Sequence, residues 1–397
     1  MWLLALTWFV LLASIGFTFP YFGLYLLDVA KLSGSEAGVV LAIIPVMSVL
    51  FQPILAALSD RSGARTRVLA GLALASSAAL LLMFVAHGFW ALLLSTALFA
   101  LCSVTLVPGL WAVSFAITSP VSPRALGYVR AVGTIGFGVA VVGFPWLEPL
   151  LTQADVPWLR LPVLSWTLPL SAISMFLAAL ALGALPHGSD VSTRASLKDL
   201  TALRKNGPFV RLLLVMFFAF LGLHGPTLFF PVLIQANGGG VSAVGHMWLI
   251  MLALEAPLVM VFGSSVKKIG IRRMMLIGLI AGAVRWLLSA WLTDLAWISI
   301  VQALHGVTVW GTVLGAAAYV DEECESSQRS TAQSLLSVVG AGLGGMCSSL
   351  LAGWLVQHLG PKSPPFWGGL LTLGLALSVW WILPESKGRR SAVGVRS

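Results

Sequence analysis

The chain reads as long apolar runs separated by short polar gaps. A bilayer-spanning helix needs about 20 mostly apolar residues. Twelve runs meet that length, near 2–27, 35–58, 67–86, 89–118, 124–147, 163–185, 209–235, 241–265, 273–292, 295–319, 331–357 and 365–384. None shows the ten-residue alternation of a membrane barrel, so the pattern predicts an all-α membrane protein with twelve transmembrane helices. The first run, "MWLLALTWFVLLASIGFTFPYFGLYLL", lacks a basic leader and exceeds a signal-peptide core, so it is expected to be a retained spanning helix.

The gaps carry the charge. With both termini placed in the cytoplasm, the inside gaps hold 18 Lys and Arg residues and the outside gaps only Lys31, Arg160 and Lys362. Cytoplasmic loops of membrane proteins carry the excess of Lys and Arg, so this imbalance sets the expected orientation. The longest inside stretch, 186–208, is polar and divides the helices six to six. It is expected to be a linker with a short surface helix. The expected organisation is a six-helix bundle over 1–185, the linker 186–208, a second six-helix bundle over 209–384, and a cytoplasmic tail over 385–397.

Composition agrees with lipid as the main solvent: 58% of residues are hydrophobic and 9% charged, against about 25% charged in soluble domains. The net charge of +9 does not indicate nucleic acid, because the basic residues sit where topology requires them. Cys102, Cys324 and Cys347 have no paired spacing, and no metal set or cofactor motif is present. Nucleotide loops and nucleophile elbows are absent, which argues against a membrane enzyme. The acidic "DEECESSQR" (321–329) reads as a solvated connector.

The two halves repeat. "SDRSGARTRVL" (59–69) follows the second run and "VKKIGIRRMML" (266–276) follows the eighth, and aligning Gly63 with Gly270 also aligns Arg65 with Arg272 at an offset of 207. Parallel six-helix repeats are one architecture of secondary transporters. The first of these loops resembles the conserved loop of the major facilitator superfamily, G-x-x-x-D-R-x-G-R-R. It keeps Asp60, Arg61, Gly63 and Arg65, and has Ala56 and Ala64 at two positions of the pattern. The resemblance implies the major facilitator fold, two six-helix halves rocking about a central cavity, and a gating role for this loop. The bland alternative is a turn that only carries topology charge.

Ionisable residues inside spanning segments are expensive in lipid and are candidates for function. "MLALEAPLVM" (251–260) has nine apolar residues and Glu255. Arg285 lies on the ninth run and His305 on the tenth; Arg130 lies on the fifth, and His224 is a further candidate on the seventh. Glu255 is twelve residues from Lys267, and Arg285 twelve from Arg273, each roughly 18 Å at the helical rise; His305 is sixteen from Asp321, roughly 24 Å. The three could meet near mid-membrane. Arg285 is the expected ion partner of Glu255, with His305 donating to Glu255 or to substrate. A pair of this kind serves proton coupling, or it is a static ion pair that fixes packing.

Glu, Arg and His on the eighth, ninth and tenth helices resemble the lactose permease branch of the superfamily. "GHMWLIMLALEAPLVMVF", "VQALHGVTVWG", "GFTFPYFGLYLL" and "LGYVRAVGTIGFGVA" are closer still to the phenylpropionate permease-like group. This implies a proton-coupled symporter, with Glu255, Arg285 and His305 coupling the proton and Arg130 binding substrate. Two departures matter. Trp111 stands where the group carries an acid on the fourth helix, which argues against a sugar; Thr308 stands where the lactose permease branch has a second glutamate. Arg binds carboxylates through its planar fork, and Trp111 with Tyr21 of "TFPYF" could supply an aromatic wall. The expected partners are therefore a proton and a small organic anion, such as an aromatic carboxylate, in a lipid bilayer, with no nucleic acid and no cofactor. The functional unit is expected to be a monomer, and short loops without glycosylation signals point to a bacterial inner membrane.

Rival readings are proton-driven efflux of amphipathic compounds, an uncoupled facilitator, and a non-transporting receptor or scaffold. The glycine-rich "VVGAGLGGMCSSLLAG" of the eleventh run spaces small residues for close helix contact, as a sliding surface or as plain packing.

Overall fold

A computed structural model describes residues 1–119, 121, 125–153, 161–186 and 197–386. Among the described residues, twelve helices are long and apolar enough to cross a membrane: α1 (Trp2–Asp28), α2 (Gly34–Ser59), α3 (Arg65–Val85), α4 (Phe89–Thr118), α5 (Ala125–Leu150), α6 (Val163–Gly183), α7 (Gly207–Ala236), α8 (Val241–Met260), α9 (Ile271–Trp291), α10 (Leu295–Glu323), α11 (Arg329–Leu359) and α12 (Ser363–Ile382). No strand occurs among the described residues. Within the expected linker, Leu197–Lys205 is helical. Arg124, Arg160, Arg194 and the tail from Lys387 lie outside the described residues, as does the Asp60 side chain.

Helix starts follow local chemistry. Ser33 and Glu36 form a capping box at α2, the Ser33 hydroxyl accepting from the Glu36 amide. Asn206 accepts from the Phe209 amide at α7, and Asp294 from the Ala296 and Trp297 amides at α10.

The chain folds into two compact units, Met1–Ser192 with Gly239–His246, and Thr193–Gly238 with Met247–Ser397. The same packing pairs recur in both. In the first unit α1 packs on α5 and α6, and α3 on α4 and α6. In the second, α7 packs on α11 and α12, and α9 on α10 and α12. The matched loops share a positive φ at the aligned glycine: Gly63 has φ 64° and Gly270 φ 87°, a side of backbone space that glycine adopts without a Cβ penalty.

Small residues allow these helices to touch. A Cβ on Gly136 of α5 would collide with the Phe9 carbonyl of α1, and one on Gly133 would stand 3.2 Å from the Trp8 Cβ. That contact brings α1 against α5 next to Arg130. In the second unit Gly278 of α9 and Gly311 of α10 meet backbone to backbone, 2.7 Å separating the Gly278 amide nitrogen from a Cβ built on Gly311. Here α10 departs from α geometry in a π turn, Val309–Val313; α11 does the same at Val338–Gly344, where Gly344 faces the Phe217 carbonyl of α7. Single π turns inside α-helices occur frequently at functional sites.

At one end of the second unit Arg272 pairs with Glu385 at 2.8 Å and lies 3.8 Å from the Trp380 ring centroid. Tyr319 donates to the Pro384 carbonyl at 3.0 Å, and Ser386 donates to Glu322. The chain leaving α12 is thereby tied to the start of α9 and the end of α10.

Candidate functional site

Two groups of intramembrane polar residues stand out among the described residues, one in each unit.

In the first unit, α1, α4 and α5 place Trp8, Trp111 and Arg130 together. The Arg130 guanidinium carbon lies 5.0 Å from the Trp8 ring centroid and 5.8 Å from that of Trp111. The two indoles meet edge to face at 5.5 Å. A cation within about 6 Å of a ring centroid is attracted by the ring quadrupole. Trp8 is fully buried and its indole N–H donates to the Ser114 hydroxyl at 2.8 Å. Arg130 donates to Thr134, one turn on, at 3.1 Å. Trp111 is 40% exposed, so the group has an accessible side. Sequence reasoning misses Trp8 and Thr134. The only signal for Trp8 is one more tryptophan in an apolar helix.

Tyr21 does not join this group. It is fully buried, its hydroxyl donates to the Val141 carbonyl at 2.8 Å, and its ring lies 5.0 Å from that of Phe144. Val141 is three turns from Arg130 along α5, roughly 16 Å. The break in α1 at Phe19–Tyr21 is what turns the ring onto α5.

In the second unit, α8, α9 and α10 bring Glu255, Arg285 and His305 into one chain of contacts. The direct Glu255–Arg285 pair expected from the sequence is replaced by a relay. Arg285 Nε donates to Gln302 Oε1 at 2.8 Å and Nη1 meets His305 Nδ1 at 2.9 Å. Nη2 reaches the Met251 sulfur at 3.5 Å, and the guanidinium carbon lies 4.0 Å from the Trp286 ring centroid. His305 stands between, its Nε2 3.7 Å from Glu255 Oε2. The reason is helical spacing: Gln302 and His305 are i and i+3 on α10, so both face α9 where Arg285 emerges. Gln302 stands in view beside His305 in "VQALHG", and its spacing is the signal that could have found it.

Burial grades along this chain. Gln302 and Ser289 are fully buried and Arg285 is 1% exposed, whereas the side chains of His305 and Glu255 are 19% and 29% exposed. The cation thus sits at the dry end and the carboxylate at the wetter end. Thr308, in the place of a second acid, spends its hydroxyl on the Leu304 carbonyl at 3.0 Å. His224 lies apart from the relay's described contacts, against Phe220 at 6.4 Å and beside Gly345 of α11.

In the loop between α2 and α3, Arg61 and Gly63 are exposed and Arg65 opens α3. The Ser62 hydroxyl accepts from the Ala64 amide at 3.1 Å and donates to the Ser59 carbonyl at 2.7 Å, which shapes the turn. No group of three or more His, Cys, Asp and Glu suited to a metal occurs among the described residues.

The chain is 27% identical to the maltose permease of Geobacillus stearothermophilus, over 89% of this chain and 87% of that protein. It is 28% identical to a protein named "Probable 3-phenylpropionic acid transporter" from Escherichia coli K12, over 60% of each. The crystal structure of the nucleoside transporter NupG shares the fold, with a TM-score of 0.82 at 16% identity, covering 96% of this chain and 98% of that one. The family described as MFS_1 like matches residues 1–364. A twelve-helix secondary transporter with repeated halves and charged groups inside both of them, this chain belongs to the MFS_1 like family of the major facilitator superfamily.

Proposed function

We propose that this transporter is a proton-coupled symporter of a small organic anion, with aromatic carboxylates as the substrate class. The observation that carries the reading is the Trp8–Trp111–Arg130 group: a guanidinium set over two edge-to-face indoles. Such a group offers a planar fork to a carboxylate and an apolar face to a ring. The relative named for 3-phenylpropionic acid supports the same class. Glu255 is the proton carrier in this reading, because it is the partly exposed carboxylate of the relay and His305 links it to the charge of Arg285. Transport follows alternating access, with protonation of Glu255 loosening the relay so that loaded and empty carriers reorient. The loop of Asp60, Arg61, Gly63 and Arg65 serves as a gate, and the protein works as a monomer in a bacterial inner membrane with both termini in the cytoplasm.

A second reading is uptake of a sugar or nucleoside. The maltose permease relative favours it, and an indole face stacks on a pyranose or a nucleobase as well as on a benzene ring. Proteoliposomes carrying an internal pH dye decide between them. The panel comprises aromatic carboxylates, sugars, nucleosides and amphipathic cations, with Glu255→Gln in parallel. Proton entry driven by an aromatic carboxylate and lost in the variant is the expected result. Entry driven by a sugar or nucleoside instead would replace the substrate class. Labelled-substrate exchange with no proton movement would make the protein a facilitator.

A further inference from the structure

We infer that Gln302 is the positioning residue of the relay: it fixes the Arg285 guanidinium so that His305 is held as the neutral tautomer with its proton on Nε2, facing Glu255. This deepens the proton-coupling reading and rests on it for its functional meaning, though the assignment of the proton stands on hydrogen-bond chemistry alone.

The dry end of the relay comes first. The Gln302 amide nitrogen lies 3.0 Å from the Ser289 hydroxyl and 3.0 Å from the Ile298 carbonyl. A carbonyl only accepts, so the group facing Ile298 must be the NH2. Turning the amide over would set two acceptors against each other there and two donors against each other at Arg285. The orientation, ordinarily ambiguous for a glutamine, is settled by its partners. Both amide hydrogens are committed, and Oε1 is left to accept from Arg285 Nε at 2.8 Å. Gln302 and Ser289 are fully buried, so these bonds have no competing water.

The guanidinium then fixes the histidine. Arginine has five donors and no acceptor. The contact between Nη1 and His305 Nδ1, at 2.9 Å, therefore requires a lone pair on Nδ1. His305 cannot be the imidazolium while that contact stands, nor the tautomer with hydrogen on Nδ1. Its hydrogen is on Nε2, the nitrogen 3.7 Å from Glu255 Oε2. Arg285 thus donates both ways, to Gln302, anchored on α9 and α10, and to His305, and His305 in turn aims its N–H at Glu255 on α8. The 3.7 Å gap is longer than a made hydrogen bond, so the last link is poised and closes with a small shift of α8. Protonating His305 requires Arg285 to let go first, which separates the histidine from the role of proton store.

The test is the nitrogen NMR spectrum of the full chain in lipid nanodiscs, labelled with ¹⁵N-histidine. The His305 signals among the six histidines are assigned by their loss in His305→Gln. In the unmodified protein the expected spectrum is a single neutral tautomer, with a pyridine-type Nδ1 and a protonated Nε2. Gln302→Leu releases the guanidinium, and the second tautomer or the imidazolium appears. Hydrogen on Nδ1 in the unmodified protein, or a spectrum of Gln302→Leu identical to it, overturns the inference. Should Gln302→Leu fail to fold, Ser289→Ala removes one of the two anchors and carries the same expectation and the same overturning result. If the spectrum is as expected and no substrate moves protons, the symport reading falls and the tautomer assignment stands.

Discussion

Gly306 of α10 rests on the backbone of Glu255 in α8: a Cβ at position 306 would stand 2.7 Å from the Glu255 amide nitrogen and 3.0 Å from its Cα. The acid of the relay is therefore placed by a glycine one residue after the histidine that faces it. Close approach at a small residue is how helices associate in lipid, where no hydrophobic force drives them together.

Gly306→Val should push α8 and α10 apart at that contact. Overpacking of a tight contact costs about 1–3 kcal/mol. The expected outcome is a lowered unfolding temperature in detergent together with loss of substrate-driven proton entry. Gly138→Val, on α5 where no atom lies within 4 Å of the added Cβ, should lower neither.

Glu255→Gln should abolish substrate-dependent proton entry while substrate exchange across the liposome persists. The amide keeps the shape and can still meet His305, but it does not carry a transferable charge. Loss of exchange as well as of proton entry would show that the residue binds substrate rather than the proton.

Arg130→Lys should weaken the carboxylate substrate nearly as much as Arg130→Ala, because a point ammonium supplies neither the planar fork nor the stacking plane over Trp8 and Trp111. A hydrogen bond to a charged group contributes about 1.5–3 kcal/mol, or roughly 10- to 150-fold in apparent affinity. Labelled phenylpropionate uptake measured against concentration checks this. Trp8→Phe should give a smaller loss, since an aromatic face stays beneath Arg130 while the donation to Ser114 and part of the ring go.

Gly63→Ala and Gly270→Ala should both lower stability, because both glycines hold a positive φ. Nothing lies within 4 Å of a Cβ on Gly63, so its cost is the left-handed backbone alone, about 1–2 kcal/mol. Gly270, at φ 87° and ψ 149°, occupies a region nearly reserved for glycine, and its substitution should cost more. Thermal unfolding of the two variants side by side tests the order.

The twelve helices are legible in the sequence because lipid demands long apolar runs, and the loop glycines because the repeat sets them in register. Arg130 with Trp111 and the Glu255–Arg285–His305 set are legible as intruders in those runs. What is not legible is who touches whom. Charge and depth match Arg285 to Glu255, yet the i and i+3 spacing of Gln302 and His305 on α10 gives the guanidinium two nearer partners. Trp8 escapes notice because one tryptophan in an apolar helix carries no signal until the Gly133 and Gly136 contact shows which face meets α5. Tyr21 reads from the sequence as part of the substrate group, and the break in α1 sends it to Val141 instead.

The π turn of α10, Val309–Val313, separates His305 from the end of the helix at Tyr319 and Glu322. One extra residue in a turn shifts the angular phase of everything beyond it by about 100°, the rotation of a single α-helical residue. α10 nonetheless keeps one face on α9 across the slip: Thr308 meets Gly282, Gly311 and Thr312 meet Gly278, and Gly315 meets Met275. Such a phase slip travels along a helix by exchanging one hydrogen bond for its neighbour, with no turn melted. Each step rotates the residues it passes. The relay end of α10 and the end held by Pro384 and Ser386 accordingly stand on the two sides of one phase slip, like two segments of a shaft joined by a coupling, while the backbone stays helical throughout.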